Sequence, residues 1–107
     1  MVELPRPIDE LVRTVNGGDT AGFLALLSDD CVVDDWGSIY SGRHEIRVWS
    51  DRELIGAKGL MTVRHIEQSG PQICLLADWK SSFYTGPGRF LLHVASGKIT
   101  SWRIQGA

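Results

Sequence analysis

The sequence predicts an α+β fold, and three observations predict it. Apolar residues recur at helical spacing only in the first half, at Ile8, Leu11, Val12 and Val15 and again around Ile46 and Trp49. The second half holds four runs rich in β-branched and aromatic residues. Short turns bearing Gly, Pro and Ser divide those runs, so the strands meander. Helices segregated from an antiparallel meander imply one mostly antiparallel sheet with the helices packed on one face.

The first helix is expected over 6–19. Pro7 suits its first turn, Asp9 and Glu10 favour the positive end of the helix dipole, and Gly17-Gly18 ends it. Asp19 or Thr20 then caps a shorter helix with Phe23, Leu26 and Leu27 on its buried side. Asp29 and Asp30 read as helix-end and turn residues before a strand of about six residues, Cys31 to Trp36. Residues 37–43 carry turn and cap residues, and Ser41 starts a third helix that turns Ile46, Trp49 and Val48 inward and closes at Gly56 and Gly59. The strands that follow are 60–68, 72–84, 88–95 and 98–105, with hairpin turns at Ser69-Gly70-Pro71, Thr85 to Gly88 and Ser96-Gly97-Lys98. A strongly bent sheet wrapped on the third helix buries these faces and leaves a cavity at its open end.

Composition narrows the function. A chain of 107 residues has room for one core, so 1–107 reads as one domain. A net charge of −2 with both signs interspersed gives no basic stripe for nucleic acid or an anionic membrane. No apolar run approaches the roughly 18 residues a membrane span needs. Cys31 and Cys74 sit in apolar runs and read as reduced thiols of a cytoplasmic protein. His44, His65 and His93 have no metal-ligand spacing, so neither a metal nor another cofactor is expected.

One carboxylate stands out. Strand alternation puts Cys31, Val33 and Asp35 on one face and Val32, Asp34 and Trp36 on the other. With Val33 in the core, Asp35 points inward and Asp34 towards solvent. The same alternation offers Asp35 the neighbours Ala77, Trp79 and Phe83, then Phe90, Leu92 and Val94, then Trp102 and Ile104. A carboxyl among such groups is poorly solvated, its pKa rises, and it becomes a better base near neutrality. The alternative is that Asp35 ends its strand and accepts hydrogen bonds from turn amides. Asp51, Arg52 and Glu53 are expected on the solvated outside of the third helix.

Four stretches carry a family resemblance: V-N-G-G-D at 15–19, D-D-C-V-V-D at 29–34, S-G-R-H-E-I-R at 41–47 and the final S-G-K-I-T-S-W-R-I-Q-G at 96–106. Together they resemble the nuclear transport factor 2-like superfamily, in particular its ketosteroid isomerase and SnoaL-like polyketide cyclase branch. The resemblance implies a cone-shaped α+β barrel whose three N-terminal helices lie in the concave face of the sheet, a deep apolar pocket and a homodimer formed through the sheet. It also implies that Asp35 matches the proton-shuttling aspartate of ketosteroid isomerases. The two enolate-binding groups of that family fall at Leu11 and close to Phe90, so both are missing, and the last strand has no cyclase-type aspartate. Indole N–H groups and the Tyr40 and Tyr84 hydroxyls are the replacements the chain offers.

The expectation is a pocket protein for a hydrophobic small molecule. It is an acid–base isomerase, cyclase or related lyase on an apolar carbonyl compound, with Asp35 catalytic and Trp36, Trp49, Trp79, Phe83, Phe90, Leu92 and Trp102 around the substrate. A non-catalytic binder and a dimeric interaction domain are the alternatives. Apolar residues on both sheet faces, such as Cys74-Leu75-Leu76 and Leu91-Leu92, also point to a dimer through the outer face.

Overall fold

A computed structural model describes residues 2–106. Its helices are α1 (Ile8–Asn16), α2 (Thr20–Ala25) and α3 (Gly42–Glu53); its strands are β1 (Leu27–Asp35), β2 (Ser38–Ser41), β3 (Leu60–Ser69), β4 (Gln72–Lys80), β5 (Thr85–Ala95) and β6 (Lys98–Gly106). The strands form one sheet in the order β2-β1-β6-β5-β4-β3. All neighbours are antiparallel except β1 and β6, which run parallel. The sheet does not close: β2 and β3 are free edges, so the expected barrel is an open, wrapped sheet. Register breaks in the β1–β6, β3–β4 and β5–β6 ladders help it bend around the helices.

α1 forms as its spacing predicts, with Ile8, Leu11 and Val15 wholly buried. Pro7 stands just outside it as the N-cap, and Asp9 and Glu10 occupy the first turn. Asn16 then pins the helix end to β3: its side chain accepts from Met61 N at 2.7 Å and donates to Met61 O at 2.9 Å. Asp19 caps α2 by accepting from Gly22 N at 2.9 Å. Arg43 at the start of α3 donates to the carbonyls of Leu24 and Leu27 and pairs with Asp29. Of the residues that carry the resemblance, Asn16 and Arg43 thus tie helices to strands, and Asp19 caps a helix.

Three boundaries differ from expectation. Leu27 belongs to β1, paired with Ile99, and Asp29 and Asp30 lie on exposed positions of that strand rather than in a turn. β2 is an additional strand: Trp36-Gly37 is a two-residue hairpin loop between Asp35 and Ser38. Both loop residues have positive φ, 53° and 94°, as the twist of a tight hairpin requires, although a tryptophan rarely takes that conformation. Finally, the β4–β5 turn is Ser81 to Tyr84, and Thr85 to Gly88 begins β5. The hydroxyl of Ser81 accepts from the amides of Phe83 and Tyr84, at 3.1 and 2.9 Å, and so supplies the turn chemistry. Pro87 stands opposite Asp78 of β4, just before the pairing of β5 with β6 starts at Gly88.

Candidate functional site

A cavity of about 430 Å³ opens at one end of the sheet, within the usual range for small-molecule sites. β1, β2, the C-terminal half of α3, the β4–β5 turn and the ends of β5 and β6 surround it. Its deep wall consists of Trp49, Leu54, Phe90 and Trp102, all nearly inaccessible to solvent. Trp36, Phe83 and Tyr84 line the mouth and are respectively 65, 63 and 48 % exposed.

Asp35 projects into this space from the end of β1. Trp49 Nε1 donates to its Oδ2 at 2.9 Å, which fixes the carboxyl against the aromatic wall. Burial raises the pKa of Asp35 above its ordinary value; the Trp49 hydrogen bond opposes this, and Glu53 adds to it through its charge and a hydrogen bond. The Asx role considered for Asp35 belongs to its neighbour: Asp34 Oδ1 accepts from Gly37 N at 2.8 Å, and its other oxygen lies 3.5 Å from Arg103 Nε. Asp34 is therefore a turn-holding residue, partly covered rather than free in solvent.

Glu53, expected on the solvated outside of α3, belongs to the site. It lines the cavity with a side chain only 15 % exposed. The signal was present in the helical period, because Ile46, Trp49 and Glu53 fall at i, i+3 and i+7 and share a face. Arg52 does lie on the outside, where it donates to Glu53 Oε2 at 2.8 Å and to the Tyr40 hydroxyl at 3.0 Å. Tyr40 in turn stacks on Trp49, with ring centroids 5.8 Å apart. Arg52, Tyr40 and Trp49 thus brace the two carboxyl groups from behind. Val48, expected inward, is exposed, since the helix turns its Trp49 and Ser50 face to the core.

The remaining aromatic residues divide clearly. Trp79, Phe90 and Trp102 line the cavity as alternation predicts. Trp79 packs closely over Gly59, where an added Cβ would meet its ring at 2.0 Å, so this glycine makes room for the wall. Phe83 also lines the cavity, but from the β4–β5 turn rather than from the inward face of β4. Trp36 reaches it because the left-handed turn folds the ring back over the mouth, despite its outward place in strict alternation. Leu92 does not line this cavity. It pairs with Ile73 and Trp102 one step deeper along β5, and is buried in the core.

Trp102 makes edge contacts with Trp49, Phe90 and Phe23, at centroid distances of 5.8, 5.5 and 6.3 Å. Its indole nitrogen is buried and has no hydrogen-bond partner among the described residues. Leu11, at the first position where the resembled enzymes carry a donor, lies wholly in the core. Among the described residues no group of three or more metal-ligating side chains converges.

No protein-family model and no curated protein matches the chain. Solved structures do. The Δ5-3-ketosteroid isomerase from a Mycobacterium species superposes with a TM-score of 0.80 at 24 % identity, over 94 % of this chain and 89 % of that one. A Mycobacterium tuberculosis protein, RV0760c, in complex with estradiol-17beta-hemisuccinate gives 0.79 at 24 %, over 91 % and 88 %. An NTF2-like protein of unknown function from Cytophaga hutchinsonii gives 0.80 at 18 %, over 91 % and 83 %. The order of helices and strands, the open wrapped sheet and these superpositions agree: the chain has the nuclear transport factor 2-like fold, as its ketosteroid isomerase-like and polyketide cyclase-like neighbours do.

Proposed function

We propose that the protein binds a hydrophobic carbonyl compound in the cavity and moves a proton on it, as an isomerase or cyclase with Asp35 as the proton shuttle. The observation that carries this reading is the Asp35 carboxylate, held by an indole N–H on the wall of a largely aromatic cavity whose other acid, Glu53, is paired with Arg52. Asp35 takes a proton from the carbon beside the carbonyl, and the C–H electron pair becomes a carbon–carbon double bond while the carbonyl oxygen takes the negative charge. Return of the proton to a different carbon restores the carbonyl and leaves Asp35 ionised, with no other reactant consumed. Trp49 orients the carboxyl, and Trp36, Trp79, Phe83, Phe90 and Trp102 hold the apolar body of the substrate.

Two neighbours support the substrate class. One is a Δ5-3-ketosteroid isomerase, and the other is in complex with a steroid ester. A Δ5-3-ketosteroid is therefore the first compound to assay. Asp35→Asn keeps an oxygen for the Trp49 N–H but removes the base, so turnover should fall about 10²- to 10⁴-fold while binding persists. Unchanged turnover in Asp35→Asn would remove Asp35 from the mechanism.

A second reading is a binder without chemistry, favoured by the apolar residues Leu11 and Phe90 where the resembled enzymes carry donors. Tight binding of a steroid recovered unchanged, independent of pH, would establish it. In either case a homodimer is part of the proposal, joined through the outer sheet face around Val32, Ile39 and Leu91.

A further inference from the structure

The lining of the cavity is unbalanced in charge. It holds two carboxyl groups, Asp35 and Glu53, and among the described residues no Lys, Arg or His lines it. Glu53 has a counter-ion behind the wall: Arg52 lies 2.7 Å from its Oε2 and sits over the Tyr40 ring, 6.0 Å from the centroid. Asp34, next to Asp35 on β1, is matched by Arg103 at 3.5 Å. Asp35 forms no ion pair among the described residues, and its Oδ2 accepts from an uncharged donor, the Trp49 N–H. The Asp35 and Glu53 carboxyls lie within hydrogen-bonding reach of each other. Two acids in contact and a single guanidinium leave this wall one positive charge short. Aromatic side chains, Trp36, Trp79, Phe83 and Phe90 among them, make up most of the remaining lining.

We propose that the cavity also takes an organic ammonium ion, an apolar body with one positive nitrogen, seated against Asp35 and Glu53. This goes beyond the carbonyl-compound reading and does not rest on it. A carboxylate drawn out of water loses hydration that a partner charge restores. Aromatic rings attract a cation through their negative faces, and they do so best where water is excluded. A cavity of about 430 Å³ has room for an apolar ring as well as the charged head. A metal ion fits less well, because among the described residues no third ligating side chain joins the pair. In the free protein a proton between the two carboxyls makes up the missing charge, and an ammonium ion takes its place. An anion meets two acids and no base, so the same wall rejects it.

The test uses the full chain, ¹⁵N-labelled, and NMR titration with three probes. Benzyltrimethylammonium carries a charge that pH does not change, neopentylbenzene is its uncharged carbon isostere, and phenylacetate is the anion. At pH 7 the cation should bind about tenfold tighter than the isostere, and phenylacetate should bind weakest. Lowering the pH towards 4 should weaken the cation, because protonation removes the charge it pairs with, and leave the isostere unchanged. The charged and titratable groups facing the pair are Arg52 from α3, Tyr40 from β2, Asp34 of β1 with Arg103 of β6, and Tyr84 from the β4–β5 turn. Of all these only carboxyls titrate in that range, and variants assign the change to the pair. Asp35→Asn and Glu53→Gln should each cost the cation about tenfold in affinity and leave the isostere unaffected. Equal affinity for the cation and its isostere would overturn the inference and leave the neutral-ligand reading standing. A cation that binds tighter as the pH falls would overturn it too, as would a benzyltrimethylammonium that does not bind. None of these readouts depends on turnover, so failure of the catalytic proposal remains a separate result.

Discussion

Burial of the Asp35 carboxyl raises its pKa above the ordinary 3.8, against the hydrogen bond from Trp49 and with the help of Glu53. A carboxyl whose folded pKa is raised contributes stability below its unfolded pKa and loses that contribution as pH rises through the folded value. At neutral pH the ionised Asp35 therefore weakens the fold that carries it. Asp35→Asn, which still offers Trp49 an oxygen, should melt higher than the unmodified protein near pH 7, with the gap closing as pH falls below about 4. Melting temperatures of both proteins across that range measure it directly; a variant less stable at neutral pH would mean that Asp35 is structurally paired. Cys31 shows the same desolvation without function: burial pushes its thiol up to about 11, leaving it a protonated core residue. The inward course of Asp35 was legible in the sequence because it depends only on strand period. Glu53 was missed because three consecutive charged residues, Asp51 to Glu53, looked like one solvated face, whereas helix geometry separates them.

The element that shapes the mouth is the β1–β2 hairpin. Its loop puts Trp36 in a left-handed conformation that normally suits Asn, Asp or Gly, and leaves the ring largely exposed over the cavity. Backbone strain at an exposed aromatic residue fits a binding role more than a structural one. Trp36→Asn should stabilise the protein by up to about 1 kcal/mol, read by chemical denaturation, while weakening a cavity ligand about fivefold or more. Loss of stability with unchanged affinity would make Trp36 a packing residue. This hairpin was invisible in the sequence because Trp-Gly is not a usual two-residue turn and Ser38 to Ser41 is short and polar at both ends. The helices and the four later strands were legible because each repeats its period over several residues. The β4–β5 boundary was not, since Gly86, Pro87 and Gly88 imitate a turn that the Ser81 hydroxyl actually makes.

At the scale of the whole molecule, the helices fill one end of the wrapped sheet and leave the other open. Phe23, Leu11 and Leu92 pack where α1 and α2 cover the sheet, and beyond Trp102 the same concave face becomes the cavity wall. The outer face carries Val32, Ile39 and Leu91 beside Asp34, His93 and Arg103 around a shallow groove, a mixed surface that a second copy can cover. Sedimentation at micromolar concentration should therefore give a dimer, weakened by Leu91→Lys without loss of fold; a monomer would rule out the sheet-face interface. The fold sets the cavity, while the proposed chemistry rests on the Asp35 carboxyl, whose pKa burial raises. An NMR titration of the Asp35 side-chain carboxyl, ¹³C-labelled in the full chain, tests that claim most directly and needs no substrate. The midpoint should lie above the ordinary 3.8 and move down in Glu53→Gln, since both the charge and the hydrogen bond of Glu53 raise it. A midpoint at or below that value, unmoved by Glu53→Gln, would contradict it.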